Sequence, residues 1–106
     1  MDKLNLSKLD LTDSQANEVT QLLAIFLPQT KVWAFGSRVK GNATPRSDLD
    51  LVVFSSNQQA LAVFQLQHAF EESCLPFSVD VLVWDHLTTS MQQNISAHYA
   101  VIQQES

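Results

Sequence analysis

The sequence predicts a small α/β (α+β) domain, a mixed β-sheet flanked by helices, and three observations predict it. Apolar residues recur at helical spacing in three separate stretches. Three short runs rich in β-branched and aromatic residues lie among them, each of strand length. The order that results is helix, strand, loop, strand, helix, strand, helix, and alternation of that kind calls for helices packed over a sheet.

The first helix opens at Thr12-Asp13-Ser14-Gln15, a capping box with Thr12 as N-cap and Gln15 reaching back. Leu11 and Ala16 stand where a hydrophobic staple would fall, and Val19, Leu22, Leu23 and Phe26 follow at i, i+3, i+4 and i+7. Pro28 should stop this helix. Lys31 to Phe35 suits a buried strand, and Gly36 to Ser47 breaks into small, polar, turn-forming residues. Asp48 to Phe54 is the second strand. Ser55-Ser56-Asn57 offers caps for a second helix carrying Leu61, Phe64, Ala69 and Phe70. Phe77 to Trp84 is the third strand, and Leu87, Met91, Ile95, Tyr99 and Ile102 predict a last helix, mostly facing the core.

With 106 residues the chain has room for one domain, 1–106, and one core. Eleven acidic against six basic residues give a net charge of -5, which argues against a stand-alone nucleic-acid binder. Cys74, the single cysteine, excludes an internal disulfide and a cysteine zinc cluster. Met1 to Asn5 lacks the form of a signal peptide, and every apolar stretch falls short of the roughly 20 residues a membrane span needs. A cytoplasmic protein without a membrane partner is expected.

The chemistry concentrates between Phe35 and Leu51. Both glycines of the chain, Gly36 and Gly41, fall there. Gly36 directly follows a strand, where positive φ or close approach to a ligand is often needed. Ser37 adds a hydroxyl and exposed N–H groups at the start of a turn that favours phosphate. Arg38 and Lys40 bring two of the six positive charges to the same point. Asp48 and Asp50, two residues apart on a strand, point to one face, roughly 6–7 Å apart. Such carboxylates repel unless a cation sits between them, and hard oxygen ligands suit magnesium. Asp80 lies in an apolar strand between Val79 and Val81, a costly place for an unpaired charge. If the third strand neighbours the second, Asp80 can join the pair, and three carboxylates can hold two metals.

Gly36-Ser37, ten residues and then Asp48-Leu49-Asp50 resembles the signature of the DNA polymerase β-like nucleotidyltransferase superfamily. Within it, the chain resembles the minimal nucleotidyltransferases, the MntA-type antitoxins of HEPN/MNT toxin–antitoxin pairs. The resemblance implies that Gly36 and Ser37 hold the triphosphate of ATP, and that Asp48 and Asp50 ligate Mg2+, two ions in all. Asp80 matches the third carboxylate, ligating metal or taking the proton of the attacking hydroxyl. Arg38 is expected to contact phosphate or to shape the motif; a surface or ion-pairing arginine is the plainer alternative. The implied partner is a cognate HEPN toxin, silenced by AMP on a tyrosine, with no nucleic acid bound directly. A module that blocks its partner by occlusion, or transfer to a small molecule, is the alternative.

Other residues carry plainer readings. His68, His86 and His98 show no ligand spacing, and Cys74 reads as a small apolar residue or an incidental thiol. Trp33 and Trp84 are expected in the core.

Overall fold

The computed structural model describes residues 9–105, so the amino-terminal stretch read for a signal peptide lies outside the described residues. Helix α1 (Asp13–Phe26) begins on the expected capping box. The Gln15 N–H donates to Thr12 Oγ1 at 3.1 Å and the Thr12 N–H donates to Gln15 Oε1 at 3.0 Å. The helix ends at Leu27, its C-cap, one residue before Pro28. Strand β1 (Val32–Phe35) follows, then a single-turn helix α2 (Ser37–Lys40) and strand β2 (Leu49–Val53). Helix α3 (Ala60–Glu71) crosses to strand β3 (Val79–Val83), and helix α4 (Thr89–Ala97) leads into strand β4 (Ala100–Gln103).

The four strands form one mixed sheet in the order β3-β2-β1-β4. β1 runs antiparallel to both neighbours, while β2 and β3 are parallel, as the crossover through α3 requires. Period-two alternation sorts the strand residues between two faces. Val32, Ala34, Leu49, Leu51, Val53 and Val79 are buried beneath α1 and α3 with Val19, Leu23, Leu66 and Phe70. Trp33, Phe35, Asp50, Val52 and Asp80 belong to the other face. There, Trp33 stacks on Tyr99 at 3.9 Å between ring centroids, and Phe54 stands 4.7 Å from both Trp33 and Trp84. The tryptophans are thus half-buried in an aromatic cluster outside the main core. No helix among the described residues is long and apolar enough to cross a membrane.

The carboxy-terminal segment corrects the expectation of a last helix through Tyr99 and Ile102. That helix ends at Ala97, His98 is extended, and the chain pairs with β1. Residues four and three apart satisfy a helix, but Ala100 and Ile102 also alternate, and both are buried. The free edge of β1 decides the matter, because its backbone groups need partners. Gln103 then fastens the new strand, donating to the carbonyls of Leu27 at 2.6 Å and Thr30 at 2.7 Å.

The apolar face of α3 also differs from expectation. Leu66 and Phe70 are buried with Ala62 and Val63 against the core, whereas Leu61 and Phe64 are 67% and 71% exposed. Phe64 lies two residues from Leu66, about 200° round the helix, so one stripe cannot bury both. Met91, expected on a core-facing stripe of the last helix, is likewise exposed.

Candidate active site

The site is built where β1 ends and β2 begins. Phe35 pairs with Asp50 across the antiparallel ladder, so the residue after Phe35 is carried directly past the Asp50 side chain. That residue is Gly36, at φ 83° and ψ -156°, a region that only glycine occupies without strain. A Cβ on Gly36 would meet Asp50 Oδ2 at 2.5 Å. Two demands, backbone conformation and close approach, therefore require the missing side chain. The Gly36 carbonyl accepts from the Val39 and Lys40 N–H groups at 3.0 Å, forming the turn of α2. No carbonyl within this short helix reaches the Ser37 and Arg38 N–H groups that precede those donors.

β2 and β3 lie side by side with Asp50 and Asp80 in direct register, about 4.8 Å apart in the backbone. Asp80 is exposed and Asp50 half-buried. Asp48 stands exposed just ahead of β2. The Asp50 carboxyl is pushed above its ordinary range, first by burial, then by the neighbouring charges of Asp80 and Asp48. The structure thus gathers Asp48, Asp50 and Asp80 with Gly36 and Ser37 at one end of the open sheet face. The donor set is all hard oxygen, and the excess of negative charge around Asp50 is the kind a divalent cation offsets. Among the described residues, however, no group of three or more His, Cys, Asp or Glu side chains is placed to hold a metal ion by itself. Magnesium tolerates that, since it keeps water and takes substrate phosphate oxygens into its shell.

Arg38 is placed differently from its expected phosphate contact. It is only 4% exposed, and every donor bond it makes runs to backbone carbonyls. Nε donates to Ser47 at 3.0 Å, Nη1 to Asp10 at 2.7 Å, and Nη2 to Pro45 at 3.1 Å and Thr44 at 3.4 Å. The guanidinium also stacks 4.0 Å from the Phe77 ring. Of the two roles expected for it, shaping the motif is the one the structure shows. It ties the loop before Asp48 to the segment before α1. The exposed cation near the glycine turn is Lys40, which lines a small hollow of about 130 Å³ with Gly36, Asn94 and His98. Larger clefts flank the acidic cluster. One of about 810 Å³ lies by Asp48, Arg46 and the start of α1, and another of about 480 Å³ runs along Asp80, Ser78 and Gln67. Cys74, His68, His86 and His98 are exposed.

Comparison with known proteins decides what family this arrangement belongs to. The model of the family described as polymerase beta, nucleotidyltransferase matches residues 17–106. The chain belongs to the polymerase beta nucleotidyltransferase family. A protein of Haemophilus influenzae described as a probable protein adenylyltransferase MntA is 39% identical over 102 residues, covering 95% of this chain and 90% of that one. Among solved structures, a toxin–antitoxin with AMP-PNP superposes with a TM-score of 0.67 at 21% identity, covering 86% of this chain and 74% of that one. A complex of a tri-AMPylated Shewanella oneidensis HEPN toxin with an MNT antitoxin gives a TM-score of 0.57 at 17% identity, over 84% and 69% of the two chains. These structures share the nucleotidyltransferase fold. The likeness to MntA extends over nearly the whole chain.

Two features of this nucleotidyltransferase site escape the sequence. Lys40 was legible as a charge but not as the exposed one of its pair, and Gln67 gave no signal at all.

Proposed function

We propose that the chain transfers AMP from ATP to a hydroxyl, that of a tyrosine, on a cognate HEPN toxin and thereby acts as its antitoxin. The observation that carries this reading is the close approach of Asp50 to the space a Gly36 side chain would fill, with Asp80 in register beside it, in a chain 39% identical to a probable protein adenylyltransferase. The glycine turn and the carboxylates share one exposed corner, so a triphosphate and its metal can occupy it together.

In this reading the Ser37 and Arg38 N–H groups and the Ser37 hydroxyl bind phosphate oxygens, with the exposed Lys40 as counter-charge. Asp48 and Asp50 would hold Mg2+, with Asp80 as a further ligand or as the base, and the ion would supply positive charge against the polyphosphate. The tyrosine oxygen forms a bond to that phosphorus, the bond to the bridging oxygen breaks, and pyrophosphate leaves. Asp80, exposed at the edge of the site, is the carboxylate best placed to take the hydroxyl proton. The acidic corner opens to solvent, so a tyrosine of the partner can approach it. The relatives seen with an ATP analogue and with an AMPylated HEPN toxin support the donor and the partner class.

The test uses ATP labelled at the α-phosphate, magnesium and a cognate HEPN protein, sought in the reading frame beside this chain. Wild type should label the HEPN protein on tyrosine, and the Asp48→Asn, Asp50→Asn double variant should leave it unlabelled. Inhibition of the toxin by the double variant, without ATP, would replace transfer with occlusion.

A further inference from the structure

β3 is an outer strand of the sheet, paired with β2 on one side only. Outer strands leave alternate N–H and C=O groups without a ladder partner. In β3 two of these are taken by a side chain from α3. Gln67 Nε2 donates to the Val79 carbonyl at 2.7 Å, and the Val81 N–H donates to Gln67 Oε1 at 3.0 Å. One carboxamide, donor and acceptor together, stands where a neighbouring strand's peptide unit would stand.

The residue between those two contacts is Asp80. Alternate residues of a strand direct their backbone groups to opposite sides, so Asp80 bonds toward β2 while Val79 and Val81 bond toward Gln67. Asp80 itself is exposed, and among the described residues no hydrogen bond reaches its carboxylate. Its position is therefore set by its backbone alone, clamped by β2 on one side and Gln67 on the other.

We propose that Gln67 is a positioning residue for Asp80, fixing the outer strand so that this carboxylate meets the other two. The proposal rests on the reading of Asp80 as part of the transfer site. Gln67 touches no reacting atom in it; it acts through two peptide groups. A carboxylate displaced by a fraction of an ångström to an ångström costs rate more than binding.

Gln67→Met keeps the length and the packing and removes both hydrogen bonds. In the labelled-ATP assay it should lower kcat about tenfold with KM for ATP unchanged. Amide exchange at Val81 should quicken while the melting temperature stays within a few degrees of wild type. In an Asp80→Glu background, where the carboxylate already reaches from a different place, the same change should cost less than about twofold. Full kcat in Gln67→Met, or an equal loss in both backgrounds, would overturn the positioning role, since the glutamine would then serve the fold at large. Asp80→Asn with undiminished transfer would be a separate failure, of the assignment of Asp80 and the proposal with it.

Discussion

Arg38 takes a permanent charge to a place that is 96% buried, and among the described residues its hydrogen-bond partners are the carbonyls of four residues and no carboxylate. A fork of fixed donors can do this, and a lysine ammonium cannot span the same carbonyls. Arg38→Lys should therefore destabilise the fold by about 3 kcal/mol, since several buried acceptors lose their donors. In thermal unfolding that is a fall of roughly 12 °C for a domain of this size. If Arg38 served phosphate instead, lysine would keep most of the stability and weaken ATP binding. Sequence exposes one half of this neighbourhood and hides the other. The placement of Gly36, Ser37, Asp48 and Asp50 is legible because it depends on spacing along one strand–turn–strand unit. Arg38 is legible only in part: shaping the motif was one of its expected roles, but its partners are backbone oxygens of Asp10 and the 44–47 loop, which carry no identity in the sequence. Gln67 is hidden for the same reason, bonding to peptide groups 12 and 14 residues away.

At the scale of elements, local signals held where capping and turn chemistry fixed them and failed where neighbours chose between two periodicities. The Thr12–Gln15 box starts α1 as read, and the first three strands fall within a few residues of their expected bounds. The end of the last segment was expected to be helical; the unpaired edge of β1 made it a strand, a demand that lies some 70 residues away. The α3 face failed for a related reason, since Leu61 and Phe64 are as apolar as Leu66 but point away from the sheet. Their energetic contrast should be large. Leu66→Ala removes a wholly buried side chain and should cost about 2–5 kcal/mol. Phe64→Ser, on the exposed face, should stay within about 0.5 kcal/mol of wild type. Denaturant unfolding of the two variants measures both. A large loss at Phe64 would mean that this ring is covered in the folded protein.

At the scale of the whole molecule, an acidic chain gathers three aspartates at one corner and half-buries one of them. Folding works against ionisation of Asp50, whose carboxyl is raised above the ordinary aspartate value of 3.8 by burial, then by Asp80 and Asp48. The sign of the consequence is fixed by linkage. The folded protein binds the Asp50 proton more tightly than the unfolded chain, so stability falls as pH rises from the ordinary value through the raised one. Above that window the ionised carboxylate remains a standing cost. Asp50→Asn removes it, and should melt a few degrees higher than wild type at pH 7 in metal-free buffer, the gap closing in acid below the ordinary value. Magnesium should narrow the same gap from the other side, raising the melting temperature of wild type more than that of the variant, because a cation bound to the folded state stabilises it by mass action. Differential scanning fluorimetry at two pH values, with and without magnesium, reads all four cases. A variant no more stable than wild type at pH 7 without metal would show that Asp50 is solvated well enough to ionise freely. A higher melting temperature joined to lost AMP transfer would mean that the fold gives up stability at this corner, and that the same excess of negative charge draws the metal in.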